Sequence, residues 1–195
     1  MEGIWFEFSI IVLLILGNGF FAGSELAIVS ARRGRMAQLA AAGDKRAHLV
    51  EQLQADPHRF LATVQIGVTL VGTMASAVGG ATAVEVLKPL LQQAPLAIVR
   101  NAAEPLALFL VVSLIAYLSL ILGELVPKRL GQMASEGVAR RVALPITWLA
   151  KVAKPFVRLL SGSTDVLLRL IGVRNSTVSA VTEEEIQQLI KEGSE

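Results

Sequence analysis

The stretch Leu122-Gly-Glu-Leu-Val-Pro-Lys128 sets a carboxylate three residues before a proline. Pro127 has no backbone N–H, so in a helix the carbonyl four residues earlier, that of Gly123, loses its partner. Glu124 and the freed Gly123 carbonyl are two hard oxygen donors at a helix break, a donor set suited to a divalent cation. Lys128 follows Glu124 by one helical turn, so an i, i+4 ion pair at an interfacial helix end is the competing reading. A second group lies in Gly17-Asn-Gly-Phe-Phe-Ala-Gly-Ser-Glu25. Asn18 and Glu25 are seven residues apart and share nearly one helical face, with Ser24 on the adjoining face. Gly19 and Gly23 permit close helix approach, and glycines around Asn18 weaken the helix and could expose carbonyls. The alternatives are a packing motif in which Ser24 bonds back to the Phe20 carbonyl, and a Glu25 that simply reaches the interface.

A third group is Thr63, Gln65, Gly67 and Thr69. The Gly67 region can lend backbone oxygens to an ion only where its helix is distorted. Gly72, Ser76 and Gly80 recur every four residues, a small-residue stripe expected to pack against a helix or a second copy of the chain. Glu85 is expected to be solvated or paired with Lys88.

The elements that hold these residues are long apolar runs. The first covers about Ile4 to Val29, the second about Phe60 to Leu87, and the third about Pro105 to Leu122. Each approaches or exceeds the roughly 20 residues that cross a bilayer as a helix. The period-2 alternation of barrel strands is missing. The first run is too long for a cleavable signal, and Glu2 and Glu7 stand where a signal is basic. Arg32, Arg33, Arg35, Lys45, Arg46 and Arg59 separate runs one and two, and Lys128, Arg129, Arg140 and Arg141 follow run three. The segment between runs two and three has only Lys88 and Arg100. The positive-inside rule then places the N-terminus outside and the C-terminus in the cytoplasm.

Composition agrees with a membrane protein. Of 195 residues 53% are hydrophobic and 17% charged, with a mean hydropathy of +0.60; soluble domains are about 25% charged. The absence of cysteine excludes disulfides, thiolate nucleophiles and Cys-ligated metals. His48 and His58 have no neighbouring metal motif, and a net charge of +2 without a basic stripe argues against nucleic acid. No hydrolase, metalloprotease or phosphate-loop motif is present, so no enzyme is expected.

From Gly137 to about Gly172 apolar residues recur at helical spacing among Arg140, Arg141, Lys151, Lys154, Arg158 and Arg169. With Pro145 and Pro155 breaking the run, this predicts kinked amphipathic helices at the cytoplasmic interface. Thr182 and Glu185 form a capping box that opens an acidic helix. The chain stops soon after, as if a following soluble domain had been removed.

GNGFFAGSELAIVSARRGRM, FLATVQIGVTLVG, LGELVPKRLG, VARRVALPITWLAKVAKPFVRLLSGSTDVLLRLIG and VTEEEIQQLI follow in order. Together they resemble the transmembrane domain of the CorC/cyclin-M family of magnesium transporters over nearly the whole chain. The resemblance implies an all-α integral membrane fold, dimeric, with three transmembrane helices in 1–136. A cytoplasmic-side juxtamembrane belt would occupy 137–173, and 174–195 would start an acidic linker. It further implies a homodimer in the inner (plasma) membrane that exports Mg2+, driven by a Na+ gradient. ATP would bind only through a paired CBS module that normally follows. The family's ion site maps onto Ser24, Gly123, Glu124 and the Ile66-Gly67 motif. Where cyclin-M members often have Asn after that Gly, this chain has Val68, so a backbone oxygen or Thr69 would substitute. Asn18 joins the expected set as a further oxygen donor. A membrane Mg2+ sensor or scaffold acting on a separate transporter is the alternative.

Overall fold

A computed structural model describes residues 2–172, with side chains described for 5–80 and 85–172. The Thr182–Glu185 capping box and the acidic helix lie outside the described residues. Every element described is helical: α1 (Glu2–Ser30), α2 (Arg33–Ala41), α3 (Lys45–Ala55), α4 (Pro57–Gln92), α5 (Ala97–Asn101), α6 (Ala103–Leu120), a π-turn (Ile121–Leu125), α7 (Val126–Met133) and α8 (Ser135–Leu170). Three stretches are long and apolar enough to cross a membrane, Trp5–Ser30, Pro57–Gln92 and Ala103–Met133. Leu13, Leu16, Phe109, Leu114 and Tyr117 are each more than half exposed along them, as expected of side chains that face lipid rather than a protein core.

The chain divides into two compact units, the first ending at Val157 and the second beginning at Arg158. Within the first, α1 packs against α4 on one side and against the π-turn and α7 on the other. Its contact with span three is a meeting of small residues. A Cβ added at Gly19 would lie 2.9 Å from the Leu122 carbonyl oxygen and from Pro127 Cγ, and one at Gly23 would lie 3.1 Å from the Pro127 carbonyl oxygen. A Cβ on Gly131 would collide with the Gly23 carbonyl. Gly19 and Gly23 thus face Gly123, Pro127 and Gly131, two stripes of period four that let the backbones touch. Against span two the close residue is Gly67, where a Cβ would collide with the Phe21 ring.

Between α4 and α6 the packing glycine is Gly79, where a Cβ would collide with Ile115, next to Ala75 at 3% exposure. The Gly72–Ser76–Gly80 stripe lies to one side. A Cβ at Gly72 meets nothing within 4 Å, Ser76 is exposed, and Gly80 reaches only Leu108 at 3.8 Å.

Beyond the end of α1 a second core gathers Ile28, Met36, Val50, Phe60 and Ile146 from five helices. α2 ends in a Schellman turn: Gly43 takes φ of 96°, its N–H donates to Ala40, and the Asp44 N–H donates to Leu39. Asp44 then caps α3, accepting from the N–H groups of Arg46 and Ala47. The same carboxylate accepts from Arg140 of α8 at 3.0 Å. Gln54, buried on α3, donates to the carbonyls of both Ile28 and Ala31 at 2.8 Å. It thereby satisfies carbonyls that the end of α1 leaves without helical donors.

Where kinked helices were expected after Gly137, α8 is one helix that holds Pro145 and Pro155 inside it. Each proline frees the carbonyl four residues back, at Arg141 and Lys151. Both of those residues and both prolines are exposed, so the prolines sit outside the packed face of α8 that carries Ala139, Ala143, Ile146 and Ala150.

Two outcomes follow from this packing. Gly131→Ala forces α1 and α7 apart, an overpacking cost of about 1–3 kcal/mol. Gly72→Ala fills open space and gains about 0.5–1 kcal/mol of helix propensity. Thermal unfolding in detergent should therefore show Gly131→Ala lowered by several degrees and Gly72→Ala equal to or above the parent; the reverse order would contradict the packing described. Asp44 supplies the second. The Arg140 hydrogen bond, with the Ala47 N–H and against the effect of burial, holds its carboxyl below the ordinary value. A depressed folded value means stability that is present above the ordinary carboxylate range and lost as pH falls through the folded value. Asp44→Asn should lower the midpoint at pH 7 and remove part of the loss on acidification toward about pH 3. An unchanged acid profile would dissociate Asp44 from that loss.

Candidate functional site

The break in span three is where the sequence placed it, and its form is a π-turn. The Val126 N–H donates to the Ile121 carbonyl five residues back, so the helix is locally underwound just before Pro127. Pro127 cannot give the Gly123 carbonyl its i, i+4 hydrogen bond, and Asn18 of α1 supplies one: its Nδ2 donates to the Gly123 oxygen at 2.9 Å. The other end of that amide, Asn18 Oδ1, is buried with no hydrogen-bond partner. A buried acceptor without a donor is unfavourable by about 1–3 kcal/mol, which makes this oxygen the first place to look for a cation.

Gly123 itself must be glycine for this contact. A Cβ there would lie 3.1 Å from Asn18 Nδ2 and 3.2 Å from the Ile15 carbonyl oxygen. Glu124, next in sequence, has a half-exposed carboxylate that accepts from Lys128 Nζ at 2.8 Å. The i, i+4 pair and the broken-helix carbonyl therefore coexist. Glu124 follows Gly123 in sequence, so its carboxylate leaves span three about 100° round from the residue whose carbonyl Asn18 bonds.

Ser24 is 1% exposed and its Oγ donates to the Phe20 carbonyl at 2.6 Å. Donating the hydroxyl proton leaves its lone pairs available to a cation. Ser24 stands seven residues beyond Gly17, which approaches Val71 of α4, and so lies on the α4 side of α1 rather than on the Gly19–Gly23 side. Gly67 is buried beneath Phe21 in an unbroken stretch of α4, so the helix is not distorted there. Thr69 is exposed, and its carbonyl accepts the Thr73 hydroxyl. Among the described residues no hydrogen bond joins Ser24, Gly67 or Thr69 to Glu124 or Gly123. Of the residues singled out, the structure joins Asn18 to the Gly123 carbonyl and Glu124 to Lys128, and holds Ser24 and Gly67 on the α1–α4 side.

No group of three His, Cys, Asp or Glu side chains gathers among the described residues. A cation near Glu124 would be held by one carboxylate and by neutral oxygens of amide, carbonyl and hydroxyl type. Gly131 went unremarked in the sequence although Gly123, Pro127 and Gly131 repeat every four residues. Gln54 gave no signal, because a lone Gln on a short amphipathic helix ordinarily points to water.

Comparison with known proteins agrees with this arrangement of spans. The family described as the Cyclin M transmembrane N-terminal domain matches residues 9–195. The chain is 46% identical over 188 residues to the Synechocystis UPF0053 protein sll0260, covering 96% of this chain and 41% of that one. It is 29% identical to the UPF0053 protein YhdP of Bacillus subtilis, over 94% of this chain and 41% of that protein. A protein of Salmonella typhimurium named polyamine export protein is also 29% identical, over 95% of this chain and 41% of its own length. The chain therefore spans about two fifths of the length of the curated relatives it matches. With its three apolar helices and a family match over nearly its whole length, the chain belongs to the cyclin-M transmembrane domain family of membrane proteins.

Proposed function

We propose that this domain moves Mg2+ across the bilayer by alternating access, as part of a homodimer, with Na+ as the coupling ion. The observation that carries the reading is the buried Asn18 Oδ1 without a partner, on the same amide that holds the Gly123 carbonyl beside Glu124. Mg2+ demands hard oxygens and gives up water reluctantly, so a site of one carboxylate, one amide oxygen and backbone oxygen suits an ion that keeps part of its hydration shell. Ser24, Gly67 and Thr69 would join by a movement of α1 against α4, for which the Phe21–Gly67 contact is the pivot. Gly72, Ser76 and Gly80, left open in the single chain, would serve the second copy. ATP would act only through a module beyond this domain.

In this scheme Lys128 is the ion's competitor. Its ammonium occupies Glu124 at 2.8 Å, and an arriving cation must displace it. The pair is partly exposed and so weak, up to about 1 kcal/mol, which an entering divalent ion can overcome.

A sensor that binds Mg2+ and regulates another transporter would use the same oxygens. The name of the Salmonella relative favours a second cargo, an organic polycation. Purified protein in liposomes separates the three: Mg2+ flux supports the carrier, spermidine flux without Mg2+ flux supports the second cargo, and binding without flux supports the sensor. Mg2+-dependent thermal stabilisation, which grows with ion concentration over Kd, tests the residues. Glu124→Gln should abolish that stabilisation while leaving ion-free stability nearly unchanged. Asn18→Leu should abolish the Mg2+ stabilisation while changing ion-free stability by less than about 1–3 kcal/mol, because it frees the Gly123 carbonyl but also removes the unpaired Asn18 oxygen. Lys128→Met should shift the Mg2+ midpoint to concentrations up to about fivefold lower. Full Mg2+ stabilisation and flux in Glu124→Gln would sink the assignment.

A further inference from the structure

A cavity of about 270 Å3 lies between α1, α4 and α8, away from the π-turn. Phe21 and Gly67 close its inner end, Leu149 and Ala153 of α8 form one wall, and Leu70 and Phe156 stand exposed at its edge. Thr63 is the one polar side chain in the lining, and its hydroxyl is used internally, donating to the Arg59 carbonyl at 2.8 Å. The lining side chains therefore offer no free hydrogen-bond donor and only the Thr63 oxygen as an acceptor, so a polar ligand would recover little of its lost hydration there. An apolar chain loses nothing of the kind and gains by burial.

The charge near the cavity is cationic. Arg59 precedes Thr63 by one turn and so lies on the same face of α4, toward the start of the helix. It is half-buried and makes no ion pair among the described residues. Thr63 to Leu70 lie roughly 9 to 20 Å along α4 from Pro57, within the depth of one leaflet, about 20 Å with its headgroups. A cation at the level of the headgroups and an apolar cavity beneath it match the two ends of a phospholipid. We propose that this cavity binds an anionic phospholipid from the leaflet on the α2–α3 side, with one acyl chain against Phe21 and Gly67 and the headgroup phosphate on Arg59. The lipid would fill the gap between span two and α8.

The test uses the whole chain released from nanodiscs of equimolar phosphatidylglycerol and phosphatidylcholine, with retained lipid read by native mass spectrometry. The parent protein should retain lipid enriched in phosphatidylglycerol. Ala153→Phe, which fills the cavity from α8, should lose the retained lipid while eluting as the parent does. Arg59→Gln should retain lipid but lose about fivefold of the preference for phosphatidylglycerol, the effect of one Arg near an anionic headgroup. Retention in Ala153→Phe equal to the parent would overturn the proposal. So would an unchanged lipid preference in Arg59→Gln, an outcome that stands even if bulk at position 153 disturbs folding.

Discussion

A carbonyl oxygen without a donor is costly in the apolar interior of a membrane protein, and the packing of α1 on span three is organised around how the Gly123 carbonyl is served. Pro127 removes its helical donor. Asn18 replaces that donor from another helix at 2.9 Å. An Asn side chain is short, so this bond demands that α1 and span three approach almost backbone to backbone. Gly19, Gly23, Gly123 and Gly131 are the residues that allow it, and at Gly131 even one methyl group would collide with the Gly23 carbonyl. The break, the amide and the glycines are one device, and none of its parts serves without the others.

The same helix carries the consequence away from the break. α1 meets the π-turn on one face and α4 on another, and its end is held by Gln54, which bonds the carbonyls of Ile28 and Ala31. Gln54 belongs to α3, whose start is capped by Asp44, and Asp44 also bonds Arg140 of α8. A continuous set of hydrogen bonds and packed side chains therefore leads from the Gly123 neighbourhood through α1 and the α2–α3 hairpin to α8. The Gln54 bonds on this path are buried, whereas the Asp44–Arg140 pair at its end is partly exposed.

The spans, the break at Gly123 and the close approach through Gly19 and Gly23 were legible in the sequence, since each rests on a local rule of hydropathy, proline chemistry or small-residue spacing. The partner of the Gly123 carbonyl was not, because Asn18 lies 105 residues away and a helical wheel of α1 shows its faces but not what lies opposite. For Ser24 and Glu124 the sequence left two readings each, and the described bonds are the internal ones, to Phe20 and to Lys128. At α8 the two prolines overcount the helices: the helix runs on through Pro145 and Pro155, whose effect on its course is local. The stripe at Gly72, Ser76 and Gly80 was visible by its spacing, yet Gly79 does the packing within the chain, because spacing alone gives no sign of which face a neighbouring helix takes.

These internal bonds say something about any cation that enters. The Gly123 carbonyl is held by Asn18, Ser24 Oγ donates to Phe20, and the Glu124 carboxylate is held by Lys128. Among the described residues, only Asn18 Oδ1 is a side-chain oxygen or nitrogen buried without a partner. Binding at such a site is an exchange rather than an addition: an ammonium leaves a carboxylate, and an amide reorients or shares its carbonyl. Each exchange gives back much of what it gains, as hydrogen bonds in water do. The resulting site would be selective through its hard oxygens and still modest in affinity. A modest affinity is what a carrier requires, since a cargo ion must be held firmly enough to enter and loosely enough to leave. A site meant only to hold its ion would be better served with the lysine removed and a second carboxylate in its place.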